Sequence, residues 1–500
     1  MVSSDVNQKL ELNDSVGKAQ ITEPAAKQGY FKVLLPLTAM VLLITYVETM
    51  LLPGIPVIQN YFGVTPTVAS WITTSALIVG AAISPLAGKL ADLRGKKNLI
   101  LIVLTFYTVG VGLAGFSTSI YMLLFARAIQ GIGFAMTPLS LAVICDVFPK
   151  EKMATGQGVI GGIAIVGLVL GDVLGALVVQ DLGWRYAFFT ALVLSVVFFV
   201  FVVKVVKKDA PCCQGKLDFT GVGMLSAGIV LLLLYLTEAP IVGWLSIEAF
   251  GFLIPGLFLI CYFFFFESKT TGPLIQMSAL RTRNILVANV IGSVFSVATF
   301  IMTYATIYYA ELPKPFGLGL DVIFTGLTFL PASIVSMAVA LVAGKTLPKM
   351  GPKPMIFAGS FVMLLSFVVL AVGRSSFAGL ALVVVFGYSG VAAVAIAATN
   401  MLAMAWPKDA TAVGQGVNQM LKSFGQGIGP VIATAVMASF TAPLISNVDG
   451  QAVVIGQLPA SLAFGILSIV GVVLVLAIMV TGLVIKNYTF KSEDQQDAGW

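Results

Sequence analysis

Gly88-Lys-Leu-Ala-Asp-Leu-Arg-Gly-Lys-Lys-Asn-Leu99 lies between two apolar runs, residues 68–87 and 98–116. An apolar run of roughly 20 residues is long enough to cross a bilayer as a helix. The charged stretch therefore reads as a hinge joining two membrane spans. Its four cations, Lys89, Arg94, Lys96 and Lys97, place it on the cytoplasmic side, where basic loops concentrate. Gly88 lets two helix ends approach closely, and Gly95 permits a tight reversal, because neither carries a Cβ. Asp92 can neutralise the surrounding cations or sit against the positive end of a neighbouring helix.

The 500 residues are 58% hydrophobic and 10% charged, which leaves too little polar surface for a soluble protein. The net charge of +6 is no nucleic-acid signal, since the cations sit in short loops between apolar runs. Residues 1–30 are polar and lack an apolar core, so they read as a tail and not as a signal peptide. Four cysteines give no disulfide framework, and Cys212-Cys213 fall in a loop assigned to the reducing cytosol. There is no histidine. Histidine-based metal sites and triads are thereby excluded, no metal or other cofactor is expected, and proton chemistry falls to carboxylates.

Apolar runs give fourteen candidate spans, near 33–59, 68–87, 98–116, 120–144, 153–178, 186–203, 219–237, 249–266, 285–310, 322–343, 355–373, 377–405, 411–437 and 460–485. With the N-terminus inside, 23 of the 28 Lys+Arg fall in cytoplasmic segments. Arg185, Lys314 and Arg374 fall outside, and Arg127 and Lys422 lie within spans. An error of one span would invert the later loops and spoil that asymmetry. The chain also repeats itself. Phe148-Pro-Lys-Glu-Lys-Met-Ala-Thr-Gly-Gln-Gly-Val159 matches Trp406-Pro-Lys-Asp-Ala-Thr-Ala-Val-Gly-Gln-Gly-Val417 without gaps at an offset of 258, and Gly88-Lys89-Leu90 is echoed by Gly344-Lys345-Thr346 at 256. Spans 2–3 thus pair with 10–11, and the entry to span 5 pairs with the entry to span 13. The repeat unit is then eight spans long. Parallel halves with a midplane substrate site are a transporter plan.

The hinge resembles the loop between spans 2 and 3 of the major facilitator superfamily, pattern G-x-L-a-D-r-x-G-r-k-x-l. The fourteen-span count resembles that superfamily's drug:proton antiporter family. Trp184-Arg185-Tyr186-Ala187-Phe188-Phe189 before span 6, Asp218 with Gly221, Pro273-Leu274, and Gly326 with Pro331 match further. The resemblance implies an all-α membrane protein of two six-helix bundles plus two additional central transmembrane helices. Its parts would be a cytoplasmic tail (1–30), an N-terminal bundle (31–206), the inserted pair (207–272), a C-terminal bundle (273–486) and a second cytoplasmic tail (487–500). It also implies a multi-pass monomer of the cell membrane, no enzyme, whose partners are a small-molecule substrate, protons and lipid.

Several polar residues lie where lipid makes charge expensive. Glu48 in span 1 must be protonated, paired or facing a wet cavity, and such a group can exchange a proton for a cation. The resembled family usually has an Asp nearby, one position earlier, where this chain has Val47. Arg127 in span 4, with Gln130 and Gly131 on the same helical face, resembles the motif R-x-x-q-G, whose Arg is implicated in proton coupling. Its available partners are Glu48, Asp172 or helix carbonyls. Gly167, Gly171 and Gly175 make one smooth face of span 5 for close helix packing, and match the antiporter motif except that Asp172 replaces a Pro. Asp172 reads as an additional proton or cation site, or as an ion-pair partner. In span 13, Gln415, Gln419, Lys422 and Gln426, with Asn418 beside them, form a polar stripe that must face protein or water. Tyr46, Gln130, Tyr304, Tyr308, Asn400, Asn418, Gln419, Lys422 and Gln426 are the substrate-binding candidates.

Gly344-Lys345-Thr346 is not a phosphate-binding loop, since the first glycine of that motif would fall on Val339. Energy must then come from an ion gradient. The expectation is a proton-coupled antiporter exporting small amphiphilic, cationic compounds, multidrug efflux by alternating access, with Glu48, Arg127 and Asp172 as coupling residues. Gly88, Asp92, Arg94, Gly95 and Lys96 would form its conformational latch. Lys422 leaves open a transporter of an anionic or zwitterionic metabolite or lipid, and a non-transporting sensor or channel stands behind both.

Overall fold

The computed structural model describes residues 30–487, apart from 52–53, 65, 206–217, 271–272, 274, 276, 408–409 and 449–450. Both tails, the Cys212-Cys213 loop and Leu274 lie outside the described residues. Long apolar runs can satisfy their backbone polar groups only internally in lipid, which dictates helices. In chain order these are α1 (Tyr30–Thr49), a short α2 (Ile55–Phe62), α3 (Pro66–Arg94), α4 (Lys96–Gly115), α5 (Ile120–Gly131), α6 (Met136–Val147), α7 (Lys150–Asp181) and α8 (Trp184–Val205). The inserted pair is α9 (Phe219–Val242) and α10 (Ile247–Glu267). A short α11 (Met277–Leu280) leads into α12 (Arg283–Glu311), α13 (Val322–Met350), α14 (Pro352–Val372), α15 (Phe377–Ala405), α16 (Thr411–Ser439) and α17 (Ser461–Leu483). Among the described residues, 13 segments are long and apolar enough to cross a membrane, counting α5 and α6 as one. The other long helix, α16, carries the Gln-Asn-Lys stripe that lowers its hydropathy, yet Gln415 and Asn418 are buried.

Element ends follow local chemistry. Asp218 caps α9 by accepting from the backbone N–H of Thr220 and Gly221, and Asp321 caps α13 through Phe324 N, as short polar side chains do at helix starts. Gly95, at φ 88, makes the reversal expected of it, and Gly351, at φ 82, makes the related one in the second half. Gly88 lets α3 lie close against the start of α16, as expected of it. It lies inside α3, which runs on to Arg94, so most of the hinge is helix. The first span also ends earlier than its apolar run suggests, at Thr49. Residues 441–459 form an antiparallel hairpin, β1 (Thr441–Val448) with β2 (Gln451–Pro459), in register Thr441 to Pro459 with an irregularity at Leu444/Ile445. Counting apolar runs passes over it, although Asp449-Gly450 between the strands is a hairpin signal in the sequence.

Each half has its own apolar core, with Leu37, Met40, Ile72 and Phe188 in the first and Ile291, Met363, Phe367 and Phe464 in the second. The inserted pair joins the second core through Leu225, Ile229, Leu233 and Phe263. Helix α9 also touches the first half, where Ser226 Oγ donates to the Ala82 carbonyl at 3.3 Å. It reaches α16 at Gly427, where a Cβ would lie 3.3 Å from Leu233.

The halves meet along two seams, α3 on α16 and α7 on α13. At the first, Gly88 lies against the Ala412 carbonyl and Val413 Cα, and Gly416 against the Ser84 carbonyl. At the second, Gly344 lies 2.6 Å (as a Cβ) from the Ala154 carbonyl, and Gly158 2.6 Å from that of Ala340. The repeat offsets map one seam on the other: Gly88 to Gly344 is 256, and Ala154 to Ala412 and Gly158 to Gly416 are both 258. Inside the halves the same device recurs. Gly167, Gly171 and Gly175 of α7 lie flat on α1 at Thr45, Tyr46, Thr49 and Met50, while Gly425 and Gly429 of α16 lie on α12 at Ser293 and Val297.

The α1–α7 contact gives a direct expectation. Gly171→Leu drives a side chain into the Tyr46 carbonyl and should cost roughly 1–3 kcal/mol by overpacking, read as a lowered melting temperature of the purified protein. Gly161→Leu on the same helix, where a Cβ meets nothing within 4 Å, should be tolerated. Equal behaviour of the two variants would refute a packing role for the face.

Candidate functional site

In the first half, Arg127 of α5 is 3% exposed. A buried guanidinium needs several acceptors for its five donors. Its Nε donates to the Ile72 carbonyl of α3 at 2.8 Å, and Nη1 donates to Gln130 Oε1 at 2.7 Å. Of the partners offered by the sequence, a helix carbonyl is the one used among the described residues, with Gln130 at i+3 added. Gln130 Nε2 is left without a partner. Glu48 of α1 is half-buried and within electrostatic reach of Arg127 and Tyr107, but among the described residues no hydrogen bond or ion pair holds it. Tyr107 of α4, buried, donates to the Leu43 carbonyl at 3.4 Å. Tyr46 is hydrogen-bonded to Thr190 of α8, within its own half. The side chain of Asp172 lies outside the described residues.

In the second half, the stripe on α16 divides. Gln415 is buried near the seam, and Asn418 donates to Asn289 Oδ1 of α12 at 3.0 Å. Gln419, Lys422 and Gln426 are half-buried. Lys422 has no acceptor among the described residues, and its stem passes Gly292 of α12, where a Cβ would stand 3.6 Å from its Cγ. Tyr304 and Tyr308 stack at 6.3 Å, with Tyr308 41% exposed. Asn400 is fully buried and donates to Gln157 Oε1 at 3.3 Å, so it ties the two halves together instead of lining a pocket. No hydrogen bond or ion pair among the described residues joins Glu48 or Arg127 to the α16 stripe. A groove of about 610 Å³ lies away from these groups, between α3 and the inserted pair, lined by Trp71, Leu234, Glu238, Val242, Glu248 and Phe252.

At the hinge, Asp92 is 1% exposed and its carboxylate accepts from the backbone N–H of Ala412 at 3.3 Å and of Val413 at 3.1 Å. Those are first-turn donors of α16, whose own N-cap residue, Ala410, supplies no side-chain acceptor. Asp92 therefore caps a helix of the other half. Lys96, 2% exposed, pairs with Asp146 at the end of α6, stands 3.9 Å from Asp92 and donates to Thr411 Oγ1 at 3.5 Å. Arg94 is exposed. Asp146, Gln157 and Asn289 were missed in the sequence. No local feature of the sequence pointed to Asp146, and for the other two the signal was a lone amide in an apolar span.

Comparison with known proteins agrees with this architecture. The family model described as Major Facilitator Superfamily matches residues 37–430. The multidrug transporter protein MdtP of Bacillus subtilis is 26% identical over 384 residues, covering 76% of this chain and 70% of that protein. Multidrug resistance protein 3 of the same organism is 30% identical over 47% of this chain and 46% of its own length. The tetracenomycin C resistance and export protein of Streptomyces glaucescens is 24% identical over 81% and 76%. Among solved structures, the human organic anion transporter MFSD10 superposes with a TM-score of 0.62 at 17% identity, covering 90% of this chain and 99% of that one. The proton:xylose symporter XylE gives 0.59 at 16% identity, covering 89% and 94%.

The trans cap is testable. A carboxylate on a helix N-terminus is worth about 1 kcal/mol in a partly buried site, so Asp92→Asn should lower the closed-to-open ratio at the hinge end about fivefold. Spin-label distances between positions 94 and 345, on opposite halves, read that ratio in a bilayer. An unchanged distance distribution would remove the latch from Asp92.

Proposed function

Because the chain belongs to the major facilitator superfamily, we propose that this secondary transporter is a proton-coupled antiporter that exports small amphiphilic compounds by alternating access. Glu48 is the observation that carries the proposal. It is half-buried in α1 beside Arg127, whose shown donors go elsewhere, and no group among the described residues holds it. A carboxylate in that position is satisfied by a proton or by a cation, so one can displace the other. Arg127, fixed to α3 and Gln130, sits where it senses which of the two is present. The multidrug and antibiotic-export relatives support an outward direction and a broad substrate range.

The transport cycle follows from the seams. The hinge end is taken as cytoplasmic, with both termini there, and the cell membrane as the location. With the glycine seams closed, Glu48 takes a proton from outside as substrate leaves. Opening of the seams, released by Asp92 and Lys96 from α16, delivers the proton inward. The fourteen-helix arrangement, with α16 as the polar span and α9–α10 beside the α3–α16 seam, fits the fourteen-span branch of drug:proton antiporters. Asp172 remains a second coupling candidate. The transporter acts as a monomer on this reading, since each seam is made within one chain.

A second reading has its own observation. Lys422 is a cation in mid-helix with no carboxylate beside it among the described residues, which favours an anionic or zwitterionic metabolite or lipid over a purely cationic compound.

Glu48→Gln, reconstituted in proteoliposomes, should abolish uphill transport driven by a proton gradient while substrate-for-substrate exchange persists. Gradient-driven accumulation at the wild-type rate in that variant would refute the assignment.

A further inference from the structure

We infer that the exported compound carries an acidic group, a carboxylate or a phosphate monoester, and that Lys422 with the amides beside it on α12 and α16 is where that group docks. The inference rests on the transporter reading above. Lys422 lies well inside a 29-residue helix, half-buried, with its stem over Gly292. The glycine is what makes room there: a Cβ on α12 at that point would meet Asn418 Nδ2 at 3.0 Å as well as the lysine stem. An ammonium is a donor three times over and an acceptor never. Among the described residues nothing accepts from this one.

The neighbouring turn shows the same imbalance. Asn418 spends a donor on Asn289 Oδ1 at 3.0 Å, and Asn289, 5% exposed, has no partner for Nδ2 among the described residues. Buried polar groups are nearly always partnered, so an orphaned amide donor on α12, bonded through its oxygen to Asn418 one turn before the orphaned ammonium of α16, points to a missing acceptor. Gln419 and Gln426 flank Lys422 three residues before and four after, on the same face. Gln426 Oε1 is also unpartnered and would take a hydroxyl or amine hydrogen of the same molecule. The lysine stem and the Asn418 amide thus meet beside Gly292, and charge-assisted bonds to an anion are about twice as strong as neutral ones. A compound bearing only positive charge meets repulsion here. One bearing an acid at one end and a base at the other answers Lys422 in the second half and Glu48 in the first.

Rhodamine B and its ethyl ester share one xanthene body and differ in the free carboxylate, so the pair isolates the acidic group. In proteoliposomes with an imposed proton gradient, the wild-type protein should move the acid in preference to the ester. Lys422→Gln should remove roughly tenfold more of the acid's transport than of the ester's, the size of one lost charged hydrogen bond. Lys422→Arg should keep the preference, and Gly292→Ala, which leaves every charge in place but fills the cradle, should weaken it. Equal handling of the two dyes by the wild type, or equal losses in Lys422→Gln, would overturn the acid site while leaving gradient-driven export of the ester intact. If the gradient moves neither dye, the antiporter reading falls. Fluorescence anisotropy of both dyes on the purified protein then decides the acid site: tighter, Lys422-dependent binding of the acid supports it, and its absence overturns it.

Discussion

Two helices can bring backbone against backbone only where a side chain is missing, and the union of the two halves depends on that contact. Gly88 and Gly416 on one side, and Gly158 and Gly344 on the other, let α3 meet α16 and α7 meet α13 at the distance of carbonyl on α-carbon. Apolar attraction does little here, because lipid is as apolar as the side chains it would release. What remains is close van der Waals contact and a few hydrogen bonds across the line, Thr155 to the Gly344 carbonyl at 3.2 Å and Asn400 to Gln157. Such a joint holds while shape fits, and most of each core lies within its own half, with Ile78, Ala81, Ala82 and Ala154 joining the second core across the seams and Ala412 the first.

The two seams match in shape and differ in charge. Following the repeat, Asp92 corresponds to Pro348, Lys96 to Pro352 and Asp146 to Met404. Only the α3–α16 seam therefore carries the carboxylate on a helix N-terminus and the buried lysine behind it. Helix α7, whose N-cap residue Pro149 also lacks a side-chain acceptor, receives no such cap from Pro348. A charge on a helix end contributes about 1 kcal/mol, enough to bias a two-state equilibrium and far too little to lock it. Duplication supplied the fit, and divergence placed the electrostatic bias on one side.

Much of this was legible in the sequence because it is written in short, periodic patterns. The hinge, the repeat and the glycine face of span 5 need only neighbouring residues to be read. What was not legible is the choice of partner across long separations. Arg127 had three candidate acceptors, and only packing brings the Ile72 carbonyl to it. Lys96 needed an acid, and nothing local points to Asp146, 50 residues on. Asn400 looked like a cavity residue because amides in apolar spans usually face a site. The seam uses it instead, since Gln157 stands opposite. The hairpin at 441–459 escaped because a search for 20-residue apolar runs does not register strands of 8 and 9 residues.

The treatment of charge separates structure from function. Arg127, Lys96 and Asp92 all have protein partners, as buried charges must if they are to hold helices together. Glu48 and Lys422 have none among the described residues, and they stand in opposite halves. The division has a thermodynamic consequence. A ligand changes a conformational equilibrium only by binding its states unequally, and a ligand that touches one half binds alike whether the halves are joined or parted. A ligand that answers a charge on each half binds differently in the two arrangements. On the antiporter reading proposed above, one unmet charge in each half is the least that a rocking bundle needs to make its motion depend on what it holds.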